Sequence, residues 1–173
     1  MSARVHRVIT KRPVPGLTLV ELMMVIVLLA IAAMLAVPML GSSAVSKVQA
    51  AAQALTSDLE YARNLAMTHG RIYAVCFDLN EPHSYKIQDP AGQVIEHPVN
   101  KGPYLVRFAG PLDGVRFAQV NIAGTCQVRF DHTGRPYDGS GQGLEASGLI
   151  TLQIGRFSET VEIEPETGFI RIR

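Results

Sequence analysis

The sequence predicts an α+β fold: one long N-terminal helix followed by a β-rich C-terminal head. Three observations predict it. No charged side chain occurs from Leu22 to Ser46. Apolar residues then recur at steps of three and four as far as Gly70, and beyond Gly70 the period shortens to two, interrupted by turn residues. At 173 residues the chain suits one compact domain plus an appendage.

The apolar content, 47% of residues with only 6% aromatic, is concentrated between Leu17 and Leu40. A helix over those residues would reach about 36 Å, enough for a hydrocarbon core of about 30 Å. The division expected is therefore a cytoplasmic leader over 1–16, a transmembrane helix over 17–40, its amphipathic continuation over 41–70, and a head over 71–173. Arg4, Arg7, Lys11 and Arg12 hold four of the 16 basic charges, which leaves 12 against 15 acidic ones, about −3, in the rest of the chain. Basic flanks stay in the cytoplasm, so the head is expected in the periplasm of an inner-membrane, single-pass protein. A strongly basic domain of the kind that binds nucleic acid is absent.

The segment Pro15-Gly16-Leu17-Thr18-Leu19-Val20-Glu21-Leu22 lies before the apolar run, where a secretory signal would place its cleavage site after it. Pro13 and Pro15 keep the chain extended there, and Gly16 lets an enzyme approach the backbone closely. Glu21 stands inside an apolar helix, where a charge costs at least about 2.5–3.5 kcal/mol near the bilayer centre and less toward its edge. Such a carboxylate is expected to have a partner.

These residues resemble the class III signal of type IV prepilins. The resemblance implies cleavage between Gly16 and Leu17 by a prepilin peptidase, N-methylation of Leu17, and pairing of Glu21 with the free amino terminus of a neighbouring subunit. Leu17 stands where phenylalanine is more usual. Pro38 falls at the position where pilin helices carry a kinking proline, through a lost backbone donor and a clash with the preceding turn.

Val45, Val48, Ala52, Leu55, Leu59, Ala62 and Ala66 form the apolar stripe of the second helical half, while Lys47, Gln49, Gln53, Asp58, Glu60 and Arg63 lie mostly off it. One helix over 18–69 follows, with Gly70 as its C-cap and its stripe packed on the head. Strands are expected over 71–78, 84–88, 93–97, 104–108, 114–117, 127–131, 149–154, 159–164 and 169–173. Turn residues such as Asp89-Pro90-Ala91-Gly92 and Pro165-Glu166-Thr167-Gly168 separate them. The last third, with Phe130-x-x-x-Gly134, alternating Ile150 to Ile154, Val161 to Ile163 and Gly168 to Arg173, resembles the GspH/FimT family of minor pseudopilins and pilins.

Cys76 and Cys126 both fall on the exported side. A disulfide between them would close a loop of about 51 residues and contribute on the order of 4 kcal/mol. Two unpaired, buried strand cysteines are the alternative. Gly139-Ser140-Gly141-Gln142-Gly143 lacks the lysine and the following helix of a phosphate cradle and reads as a loop. His69, His83, His97 and His132 lack ligand spacing, so no metal and no cofactor is expected. Asp131-His132 with a serine has no nucleophile elbow beside it, and no enzymatic activity is expected.

The resemblance implies a structural subunit of a type II secretion pseudopilus or a type IV pilus. Its partners would be other pilins of the filament, the prepilin peptidase and an inner-membrane assembly platform. A second reading is a DNA-binding minor pilin of the FimT kind, whose Gly-Arg-x-Arg motif is matched here only by Arg171 and Arg173 after Gly168.

Overall fold

A computed structural model describes residues 18–173, with side chains throughout that range except at 33–42. One helix, α1 (Leu19–His69), is followed by nine strands. The chain divides into two units, Met1–Leu40 and Gly41–Arg173.

In the first unit the helix starts on Thr18, whose hydroxyl accepts the Glu21 N–H at 3.2 Å. Thr18 is thus the N-cap, and its carbonyl takes the Leu22 N–H at 3.1 Å. The side chains from Leu19 to Ala32 are all exposed. Among the described residues no helix is long and apolar enough to cross a membrane. The described apolar stretch from Leu19 to Ala32 rises only about 21 Å, and Leu17 and 33–40 of the expected span lie outside the described side chains. Pro38, expected to kink the helix, is among them.

In the second unit the expected stripe is the buried one from Val48 onward, while its first residue, Val45, is half-buried. Val48, Ala52, Leu55, Leu59, Ala62 and Ala66 are at most 1% exposed, joined by Ala51. Each leucine contributes about 1.5–3 kcal/mol by leaving water. Gly70 ends the helix at φ 64°, and the Arg71 N–H returns to the Ala66 carbonyl at 3.2 Å. That six-to-one bond with a left-handed glycine before it is a Schellman cap.

The strands are β1 (Tyr73–Asp78), β2 (Ser84–Gln88), β3 (Leu105–Arg107), β4 (Arg116–Asn121), β5 (Gln127–Phe130), β6 (Pro136–Asp138), β7 (Gly148–Ile154), β8 (Phe157–Ile163) and β9 (Ile170–Ile172). They form two antiparallel sheets, ordered β3-β2-β1-β5-β6 and β4-β7-β8-β9. Val75 lies opposite both Ile87 and Val128, and Ile150 opposite Val161, so their inner faces are apolar. These faces and the helix stripe line one core.

Three hairpin turns share a sequence and a bonding scheme. In Asp89–Gln93, Asp131–Arg135 and Asp138–Gln142 the aspartate carboxylate accepts the N–H four residues on, at 2.8, 3.0 and 2.9 Å. In each, the glycine three residues after the aspartate has a positive φ, as the αL position of a three-residue hairpin loop requires. The glycine-rich 139–143 stretch is therefore a hairpin turn hung from the buried Asp138.

Four expectations differ from the structure. Residues 93–97 form no named strand, although Val94 and Glu96 make single bridges to Gln88 and Pro103. The edge of β2 that this segment meets is taken by β3 at Ser84–Lys86, and the other edge by β1, which leaves 93–97 only the end of the strand to pair with. The strand expected over 114–117 starts later, as β4, and carries a bulge between Phe117 and Gln119. Strand β6 was hidden by the turn residues on both sides of it and by Pro136 at its start.

The cysteines are the fourth difference. Both thiols are free. Cys76 lies opposite Gln127 in the ladder, one position out of register with Cys126, and successive residues of a strand point to opposite faces. Cys76 donates instead to the Gln88 side chain at 2.8 Å.

Candidate functional site

Gly16 and Leu17 lie outside the described residues. Glu21 stands in the first turn of the helix, exposed among Leu19, Val20 and Leu22. A carboxylate there is favoured by the unpaired N–H groups and dipole of the helix start. Among the described residues no cation lies within ion-pair distance of it. The Thr18-x-x-Glu21 spacing of a capping box was legible in the sequence, as the signal that the helix begins at this point.

The helix is fastened to the head by two polar side chains that periodicity placed merely off the stripe. Asp58 accepts the Tyr85 hydroxyl at 2.6 Å on one oxygen and the Tyr104 hydroxyl at 2.8 Å on the other. Burial first, and the neighbouring Asp58 carboxylate second, push the ionisation of both phenols well above their usual range. Tyr104 also stacks on Tyr61 of the helix and on His97, with ring centroids 5.6 and 4.5 Å apart.

One turn further along, Arg63 donates to the Gly134 carbonyl at 3.2 Å and to the Thr167 carbonyl at 2.9 Å. The two turn glycines singled out by the sequence, Gly134 and Gly168, meet beneath it. Both are buried with positive φ, and a Cβ on Gly168 would strike the Gly134 carbonyl oxygen. Their spacing in the sequence therefore serves a close backbone approach under one arginine.

Arg171 lies on β9 between Ile170, which is buried, and Ile172, which is exposed; Arg173 follows the strand. The Arg171 guanidinium is, however, engaged by Glu162 of β8, through Nη2 at 2.9 Å and Nε at 3.0 Å. The Ser147 hydroxyl and then Arg171 hold the Glu162 carboxyl below its usual range. Both donors meet the same oxygen, Oε2, so the charge of Arg171 is already compensated by a carboxylate. Among the described residues no group of three His, Cys, Asp or Glu side chains could hold a metal ion.

A family model described as type II transport protein GspH matches residues 51–165, which takes in the packed half of the helix, both sheets up to the β8–β9 turn, and both fastening residues. The chain belongs to the GspH family. A second model, the prokaryotic N-terminal methylation motif, matches residues 12–37 and so contains Gly16, Leu17 and Glu21. No curated protein sequence matches this GspH-family chain. Among solved structures it is similar to the minor pseudopilin EpsH from the type 2 secretion system of Vibrio cholerae. Their TM-score is 0.53 at 11% identity, covering 73% of this chain and 96% of that one. It is likewise similar to the type IV minor pilin FimU of Pseudomonas aeruginosa, with a TM-score of 0.52 at 16% identity over 74% and 89% of the two chains. At these identities the likeness establishes the pilin-like α+β fold that the GspH-family chain shares with both.

Proposed function

We propose that this chain is a minor pseudopilin or minor pilin, a structural subunit of a type II secretion pseudopilus or a type IV pilus. A prepilin peptidase cuts it between Gly16 and Leu17, and the new Leu17 amine is methylated. Residues 17–40 anchor it in the bacterial inner membrane, head in the periplasm, until an assembly platform adds it to a filament of other pilins. It performs no chemistry of its own.

The observation that carries this reading is Glu21, a lone carboxylate in the first turn of an apolar helix, five residues into the proposed mature chain. A charge in that position is tolerable in lipid when a neighbouring subunit supplies an ammonium group beside it. The FimT-like, DNA-binding reading is not favoured, because Arg171 is already paired.

The test is Glu21→Ala in the native host. The variant should still be cut but should disappear from the sheared or pelleted filament fraction, and cross-linking should show which machine's pilins it has lost. Incorporation at the unaltered level would refute the role given to Glu21.

A further inference from the structure

We propose that the β3 edge of the five-stranded sheet is an acid-sensitive flap, pinned before β3 by His97 and after it by His83. Each ring holds backbone only in its neutral state. The device belongs to the head alone and stands whether or not the chain joins a filament.

The pins are set by which atom donates. His97 Nδ1 takes the Val99 N–H at 3.1 Å and the Asn100 N–H at 3.5 Å, closing the turn that leads into β3. His83 Nδ1 takes the Phe117 N–H of β4 at 3.4 Å, and the His83 backbone carbonyl takes the Phe108 N–H at 3.0 Å. One residue thus ties the end of β3 to a strand of the other sheet. A backbone N–H can only donate, so each ring must offer a bare Nδ1 and carry its proton on Nε2. An imidazolium has a hydrogen on both nitrogens and accepts nothing. Imidazole is the side chain that ordinarily changes charge between pH 5 and 8, and both rings are half-buried, within reach of water. His69 differs, because its Nδ1 faces the Tyr73 hydroxyl at 2.8 Å, which accepts as readily as it donates.

The neighbours give a protonated ring somewhere to turn. Around His83 stand Asp78, Glu81, Asp113 and Arg116. On the His97 loop Glu96 is paired with Lys101 at 3.7 Å. From the elements packed against that loop come Tyr104, Tyr61 stacked on it, and the Asp58 carboxylate that accepts the Tyr104 hydroxyl at 2.8 Å. His97 stacks on Tyr104 with centroids 4.5 Å apart, a contact that an imidazolium keeps as a cation over a ring face. Acid therefore removes the turn's acceptor without ejecting the ring. Tyr104 stays fastened as the hinge, and the segments on either side of it loosen. The pins hold at neutral and alkaline pH and let go as pH falls.

The experiment is hydrogen exchange of the full-length chain in detergent at pH 8 and pH 5, read as protection factors so that the intrinsic pH dependence of exchange cancels. The lower value stays above the range in which ordinary carboxylates protonate. Amides of 97–108 and of Phe117 should lose protection at least about tenfold, the weight of the acceptors lost, while those of β7 and β8 keep theirs. His83→Asn combined with His97→Asn supplies side-chain oxygens that accept the same N–H groups and do not titrate, so protection should be equal at the two pH values. His97→Phe keeps the stack without the acceptor, and should lose at pH 8 the protection of 97–102 that the wild-type chain loses at pH 5. Unchanged protection of 97–108 in the wild-type chain overturns the proposal. So does a loss shared equally by β7 and β8, which is global unfolding, or a loss that persists in the double asparagine variant. The wild-type comparison decides the matter even where a variant does not fold.

Discussion

Asp58 Oδ2 lies 2.6 Å from the Tyr85 hydroxyl, tying the middle of the packed helix to the second strand across 27 residues of sequence. The other oxygen takes Tyr104, so one carboxylate satisfies two buried phenols. Asp58→Ala should lower stability by about 3 kcal/mol, since it leaves two donors unpaired. Asp58→Asn, which keeps one acceptor, should lose roughly half as much. Urea midpoints of the purified chain measure both. Equal losses would show that volume, not hydrogen bonding, matters at this position.

The same pair predicts a response to alkali. Both tyrosines ionise at higher pH in the folded chain than in the unfolded one. Their contribution is therefore full below the ordinary tyrosine value of about 10 and is lost as pH rises above it. The fall in thermal midpoint between pH 9 and pH 11 should be flattened by combining Tyr85→Phe with Tyr104→Phe.

Two glycines with nearly the same backbone angle should respond differently to alanine. Gly70 has φ 64° with nothing within 4 Å of an added Cβ, so Gly70→Ala should cost about 1 kcal/mol, from left-handed strain alone. Gly168 has φ 65° but abuts the Gly134 carbonyl and Arg63, so Gly168→Ala should cost about 3 kcal/mol or more. Denaturation of the two variants side by side separates strain from collision.

On the acid side, Glu162 is held below its usual range by Ser147 and Arg171, so its contribution is present above the ordinary glutamate value of about 4.3 and fades as pH falls below it. Glu162→Gln should flatten the loss of thermal midpoint between pH 5 and pH 3. Arg171→Ala should flatten it less, because the Ser147 hydroxyl remains.

The sequence made the helix, its stripe and most strands legible because each is a local periodicity. Leu55 and Leu59 are buried where steps of three and four put them, and β2 spans Ser84–Gln88 as alternation predicts. What periodicity could not reveal is which polar residue off the stripe finds a distant partner. Asp58 and Arg63 looked like solvated positions. Tyr104 lies 46 residues from Asp58, and Thr167 lies 104 from Arg63. The cysteines failed for a related reason: pairing depends on register, and a shift of one residue separates two side chains onto opposite faces.

The central claim concerns a bond cut on the cytoplasmic side of an apolar helix. Intact-mass and N-terminal peptide spectrometry of the protein from its native host tests it most directly. The account predicts a chain beginning at N-methylated Leu17. A chain that retains Pro15 and Gly16, with an unmodified Leu17 inside it, would contradict it.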